Sequence, residues 1–416
     1  MRLSIADPPY VIPTYSLTGD LLAYLKCGLQ YRYHNKGTLP PSKPVQLWFG
    51  EFIHAVMEES YHRWNNNIAP HVFPWDWLQE IRPVELEIAH RLEARGIPPA
   101  YRSFCSYDGA NNSRCTCPQS SSQNHKLIAS LRADAAINTW GLHLFPLISE
   151  AEQRLQGIQP MPSTVQGRAD YYEITGVADV IGSVQLSNAP RGNLILHYLN
   201  AQQEVQNVIA QLPENQYEII LDYKGTRRPS TRIYNTNSNS FDPNPSWEHF
   251  AWQVLTYAWL RGQQRGSATV VAGIVLFINE LEPSQTDMEE LQSDVRDQAT
   301  DIMPFGQDLK LINNWRPGQP IPRLSTTFLE QRSIRIVAVD QNAITQSLQE
   351  FRNVVTDIEN AVIQEMSGIG IRSSWQMRPS GNPYVAPERR TCTACDFKHY
   401  CPLAPQVGEG GPPSAP

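Results

Sequence analysis

In the run Tyr217, Glu218, Ile219, Ile220, Leu221, Asp222, Tyr223, Lys224, a strand's period of two puts Asp222 and Lys224 on one face and Tyr223 on the other. A carboxylate and an ammonium then project side by side. Upstream, Gly176, Val177, Ala178, Asp179 ends an apolar segment on a second carboxylate, which a neighbouring strand can bring beside Asp222. Two carboxylates with a backbone carbonyl make an oxygen-rich site suited to Mg²⁺ or Mn²⁺. Lys224 beside it favours deprotonation of an attacking water and stabilises negative charge on a phosphate. Taken alone, a D-x-K triplet is also what a solvated ion pair at a strand end looks like, so the surrounding elements must decide.

The pattern around these residues orders the chain. Ser16 is a candidate cap for a helix whose Leu17, Leu21, Leu25 and Leu29 form one apolar stripe, with Cys27 near its end. A second helix is expected over residues 47–64, where Phe49, Phe52, Ile53, Val56 and Met57 face a core and Gly50, His54 and Glu58 share a neighbouring face. Residues 74–149 read as broken helix holding Cys105, Cys115 and Cys117 in a polar loop. Strands are expected over 151–155, 172–184 and 217–224, and the apolar run 194–199 with the polar helix-like piece 201–212 reads as an elaboration of the sheet. A helix over 247–261 carries Gln253 and Tyr257 one turn apart on a shared face. Strands over 268–279 and 334–339 follow, and Asp340 is a good cap for the long helix that ends near Gly368. The expectation is an α/β chain with a mixed central sheet.

Composition sets bounds. The 416 residues, 41% hydrophobic and 18% charged, can bury a large core. A net charge of -7 argues against gripping nucleic acid through bulk positive charge and leaves a local basic cleft open. Without a long apolar run or a signal-peptide pattern, the chain is expected to be soluble, free of membrane contact and cytoplasmic. Seven cysteines, an odd number, point to thiols or metal ligands rather than a disulfide scaffold. No G-x-x-x-x-G-K-[ST] run is present, so any unwinding of a duplex would come from another chain.

In the order His54, Asp179, Asp222-x-Lys224, Gln253-x-x-x-Tyr257, the sequence resembles the PD-(D/E)XK nuclease superfamily, in the RecB-like branch that includes the CRISPR-adaptation nucleases with an iron-sulfur cluster. The resemblance implies a restriction-endonuclease-like core with helical insertions and a cysteine clasp joining the two ends of the chain. His54, Asp179, Asp222 and the Tyr223 carbonyl would hold Mg²⁺ or Mn²⁺, Lys224 would be the catalytic lysine, and Gln253 and Tyr257 would orient the substrate strand. Glu152 resembles an acidic position that supports the site. Asp222 stands where the family usually has Glu, and the long gap from Asp179 makes residues 183–216 an insertion. The parts expected are N-terminal helices (1–73), a helical insertion (74–149), the nuclease core (150–282), C-terminal additions (283–388), a cysteine segment (389–403) and a Gly/Pro/Ser-rich unpacked tail (404–416).

Cys392, Cys395 and Cys401, followed by Pro402, resemble the C-terminal half of that branch's cluster site, and Cys27 fits the place of its fourth ligand, with Gly28 in place of the usual proline. Four thiolates suit a [4Fe-4S] cluster or zinc. Tying Cys27 to Cys392 would close almost the whole chain into a loop, worth on the order of several kcal/mol if it acts as a disulfide does. Arg227, Arg228 and Arg232 lie just beyond Lys224 and could track a phosphate backbone or form a solvated loop. Arg389 and Arg390, beside the clasp, could extend that path. The implied activity is hydrolysis of single-stranded or end-containing DNA in repair, recombination or CRISPR-type defence, with a helicase or adaptation protein as partner. The alternative is an inactive nucleic-acid-binding or scaffold subunit of a nuclease-helicase complex.

Overall fold

The computed structural model describes residues 12–35, 45–99, 102–107, 125–165, 169–212, 215–235, 239–375, 395–397 and 401. The expectations for Cys115, Cys117, Arg389, Arg390, Cys392 and the tail 404–416 lie outside them. A mixed sheet forms the centre: β1 (Thr14–Ser16), β2 (Ile148–Pro160), β3 (Tyr171–Gln185), β4 (Gln216–Lys224), β7 (Val270–Phe277) and β8 (Ile334–Ala338). Its order is β1-β3-β4-β7-β8, with β2 paired to the other edge of β3, and β5 (Arg232–Asn235) and β6 (Ser240–Pro243) make a separate hairpin-like pair. β1/β3 and β4/β7 are parallel; β2/β3, β3/β4 and β7/β8 are antiparallel. A parallel neighbour needs a crossover, and the helix Pro245–Gly262 supplies the one from β4 to β7.

Both faces of the sheet are covered, which is why β7 is buried at every position and reads as a continuous apolar run. On one face, Ile219, Leu221, Tyr223, Ile274 and Leu276 pack with Trp48, Phe52 and Val56 of the helix Val45–Asn65 and with residues of the helices Arg82–Ala94 and Ile128–Ala136. On the other, Ile220, Ile174 and Ala178 pack with Leu255 and Ala258 of Pro245–Gly262 and with Phe351, Val355 and Ile358 of the helix Gln341–Met366. Successive residues of β4 thus enter different cores, and Asp222 falls on the Pro245–Gly262 side while Tyr223 faces Val45–Asn65.

Three expectations change in detail. Residues 194–199 form a helix, Leu194–Asn200, rather than part of the sheet: Ile195, Leu196 and Leu199 share its buried face, and the Asn193 side chain accepts from the Leu196 amide. The strand expected over 151–155 is β2, which runs longer, from Ile148 to Pro160, and the short β1 precedes it. The N-terminal helical region begins at the Ser16 cap as expected, but extended backbone at Cys27 divides Leu22–Lys26 from Gly28–Asn35. Asp340 caps the long helix through the Ala343 amide, as its sequence position predicts.

Behind β7, Glu280 is a buried anchor: its carboxylate accepts from the Arg228 amide at 2.7 Å and from the Arg332 guanidinium. Burial raises its pKa, but Arg332 outweighs burial and the net position is below the usual carboxylate value. A depressed folded-state pKa means that this stabilisation is complete above the unfolded value near 4.5 and is lost as pH falls through the lower folded one. Glu280→Ala, which leaves Arg332 buried without its counter-charge, is expected to cost about 3–5 kcal/mol in urea unfolding at pH 7. An unchanged midpoint would show that the anchor carries no stability.

Candidate metal centre

β3 pairs with β2 along one edge from Tyr171 to Gly182, with no pair at Asp179, and its other edge is shared. Residues 173–175 pair with β1, and pairing with β4 begins only at Val180↔Leu221. The stretch 176–179 therefore has no ladder partner on that edge, and its side chains and neighbours fill the space. Gly176 is required there: a Cβ would sit 2.6 Å from Cε1 of the Tyr257 ring, which packs into the gap. At the other end of the stretch, Asp179 Oδ2 accepts the Tyr223 amide at 2.7 Å, taking the hydrogen bond that a continuing ladder would have used.

This parting of strands gathers the donors. His54 Nδ1 lies 3.3 Å from Asp179 Oδ1. Glu152 comes from β2, where the flanking pairs Ala151↔Val180 and Gln153↔Ala178 set it opposite Asp179, with a positive φ of 49°. One donor atom from each of His54, Glu152 and Asp179 lies within 4.8 Å of the others. Adjacent donors in an octahedron with bonds of about 2.1 Å are about 3 Å apart, so the His54–Asp179 separation is close to that of two ligands of one ion. An imidazole with two carboxylates is a fitting donor set for a divalent cation such as Mn²⁺.

Asp222 was expected to share the ion with His54 and Asp179, but the three-donor group contains Glu152 in its place. The Asp222 carboxylate is instead engaged alongside: Oδ1 accepts from Gln253 Nε2 at 2.9 Å, and Oδ2 lies 2.6 Å from Lys224 Nζ. Oδ2 is buried, with the Lys224 ammonium as its counter-charge. Gln253 also donates to the Tyr257 hydroxyl at 3.3 Å. Both residues are buried, so they touch Asp222 and Gly176 rather than an open groove. The Tyr223 backbone contributes its amide to Asp179.

The charges are strongly coupled. Burial alone would lower His54, but Asp179, by charge and hydrogen bond, outweighs it and holds the imidazole up at about 9. Burial raises Asp179, and the same His54 contact overcomes that to leave it below the usual carboxylate range. Asp222 is pushed up to about 6, first by burial and then by Asp179, against the pull of Lys224. Glu152 rises to about 7 through lost solvation and the nearby charges of Asp179 and Glu58. The His54 imidazolium and the Lys224 ammonium thus balance three acids, and a divalent ion could take over the part of His54.

The arginines expected to follow a substrate backbone are committed elsewhere. Arg228 is 2% exposed, with its guanidinium on Asp301 and on the carbonyls of Arg332 and Ile334. Arg227 binds Glu290 and Asp294, and Arg232 donates to the carbonyls of Asp297 and Gln298. That loop is corrected from a phosphate path to a scaffold contact.

At the cysteine end, the Phe397 ring packs at a tilt against Tyr33 and His34 with ring centroids 4.9 and 4.8 Å apart, and His34 Nε2 lies 3.3 Å from Asp396. The Cys395 thiol is pushed up by burial first and then by the charges of Cys27 and Cys401, and among the described residues these sulfurs do not form a three-donor group of the kind that His54, Glu152 and Asp179 form. Cys392 lies outside the described residues. In the other polar loop, Cys105 Sγ approaches His125 Nδ1 at 3.3 Å.

Sequence reasoning missed a cleft of ≈ 530 Å³ between Val45–Asn65 and Arg82–Ala94, into which His54, Glu152 and Asp179 open. Only the shared face of Gly50 and His54 hinted at it. No protein-family model matches the chain, and no curated protein sequence does either.

Because Glu152 supplies one of the three donors, Glu152→Ala is expected to weaken Mn²⁺ binding by at least about 10–100-fold in calorimetry, the loss that removing even a supporting partner of a ligand causes at metal sites. Mn²⁺ must displace the His54 proton, so affinity should rise with pH up to about 9 and level off above it. A flat profile across that window would remove His54 from the ligand set.

Proposed function

We propose that the protein is a metal-dependent nuclease of the PD-(D/E)XK type, with a restriction-endonuclease-like core, that hydrolyses phosphodiester bonds of DNA. The observation that carries this reading is the meeting of His54, Glu152 and Asp179 beside the Asp222, Lys224 and Gln253 group, from two helices and three strands, where β3 and β4 part. A bound divalent ion would supply Lewis acidity for attack of water on a phosphodiester. Asp179 and Glu152 would hold it, with His54 as the nitrogen donor. Lys224, its side chain 17% exposed and its ammonium 5.5 Å from the centre of the Phe250 ring, keeps that charge beside Asp222, where it can neutralise charge that builds on a phosphate. Gln253 fixes Asp222, and Tyr257 fixes Gln253. DNA as substrate, and a helicase or adaptation protein as partner, rest on the family resemblance.

The same reading makes Cys27, Cys392, Cys395 and Cys401 the ligands of a structural [4Fe-4S] cluster, with zinc as the other occupant that four thiolates accept. The contact of the Phe397 ring with Tyr33 supports this reading, because it joins the N-terminal helices to the C-terminal segment as such a clasp would.

Labelled single-stranded and duplex DNA incubated with purified protein and Mn²⁺ or Mg²⁺ tests the activity. Cleavage is expected, with Lys224→Ala slowing it by about 10²–10³-fold and Asp179→Ala by at least as much; wild-type rates in both variants would sink the assignment. For the clasp, purified protein should show broad visible absorption that Cys395→Ser bleaches. A colourless protein with stoichiometric zinc would assign the thiolates to zinc instead.

A further inference from the structure

Gly50 sits within the helix Val45–Asn65, one turn before His54, where glycine makes a helix less stable than alanine does. Neither usual reason for a glycine applies. Its φ is not positive, and a Cβ built on it would meet nothing within 4 Å, whereas at Gly176 a Cβ would run into the Tyr257 ring and at Gly273 into Val254. What a side chain at Gly50 would occupy is the cleft, lined by Gly50, His54, Glu152 and Asp179 on one side and by Arg91 and Arg95 on the other.

Arg91 and Arg95 are one helical turn apart, so both project from the same wall. Their side chains are 52% and 57% exposed, with Arg91 on Glu87 at 2.7 Å and Arg95 on Glu51 at 3.1 Å. Ion pairs this exposed contribute little, so exchanging a carboxylate for a phosphate oxygen costs little. Glu51 and Glu58 also reach the cleft, so its polyanion affinity must come from these guanidiniums and the cation-binding group together. The volume falls in the range of small-ligand pockets, enough for a few residues of one strand and too little for a paired duplex.

We infer that a single nucleic-acid strand lies along this cleft, its backbone passing over the bare Gly50 turn toward His54 and Asp179 while Arg91 and Arg95 hold its phosphates. The helix Arg82–Ala94 is then the outer wall of the substrate channel. This rests on the nuclease reading of the adjoining site, but binding can be measured apart from cleavage.

Fluorescence anisotropy of a labelled oligothymidylate with Ca²⁺ in place of Mn²⁺ keeps a cation at the site and reads binding, with Mn²⁺ cleavage assayed in parallel. Gly50→Trp is expected to weaken binding at least tenfold, while Gly50→Ala binds as the wild type does and melts at a higher temperature. The double variant Arg91→Glu/Arg95→Glu, on an exposed helix face, should also weaken binding and lower the slope of log affinity against log salt by about 1.4, two phosphate contacts at about 0.7 each. Wild-type affinity and slope in both Gly50→Trp and the double variant would overturn the inference, as would an absence of strand binding by the wild type or equal affinity for a duplex of the same length. If the wild type cleaves while those variants bind normally, the channel is wrong and the activity stands. If binding depends on Gly50 and the arginines but nothing is cleaved, the channel stands and the activity is wrong.

Discussion

The hydrogen bond from the Tyr223 amide to Asp179 Oδ2 marks the place on which the rest of the site depends. A sheet that continued its ladder past Val180↔Leu221 would have consumed that amide with a carbonyl and closed the space. Instead β3 is shared between β1 and β4, and the unpaired stretch between them is lined by a carboxylate at one end and a glycine at the other. The carboxylate replaces a backbone acceptor, and the glycine admits the Tyr257 ring. Everything polar in the site is arranged around this break in backbone pairing.

That origin explains how charged groups persist so close to two hydrophobic cores. Asp179 and Asp222 are 7% and 2% exposed, and neither could stay ionised there alone. Each is compensated by particular neighbours: His54 and an amide for Asp179, Lys224 and Gln253 for Asp222. The compensation is incomplete, as the upward displacement of Asp222 and Glu152 shows. Negative charge held beside an open cleft in this way is the setting in which functional sites are found, and the proposed cation would relieve it. The Glu280, Arg332 and Arg228 cluster behind β7 offers a contrast: its acid is pulled below its usual value, the mark of a satisfied structural anchor.

Much of this was legible in the sequence because it followed from period. Alternation in 217–224 put Asp222 and Lys224 on one face, the spacing of Gln253 and Tyr257 put them on one helix face, and the apolar stripe from Phe49 to Met57 left His54 at the edge of the core; the structure keeps all three. What stayed hidden depended on long-range register. Glu152 reaches the metal group only because β2 pairs with β3 in a register that sets it against Asp179, and no local pattern encodes that. Arg227 and Arg228 looked available for a phosphate because the acids that take them, Asp294 and Asp301, lie far along the chain. The run 194–199 was ambiguous between helix and strand, as short apolar runs are, and the Asn193 cap decided it.

The proposed hydrolysis requires one divalent ion shared by His54, Glu152 and Asp179. Anomalous diffraction at the manganese edge, from crystals grown with MnCl₂, tests it directly. The predicted result is a single strong peak between the His54 imidazole and the two carboxylates, within about 2.0–2.3 Å of the donors and absent in Asp179→Ala crystals. Manganese bound only elsewhere on the protein, with this group left on its own hydrogen bonds, would contradict it.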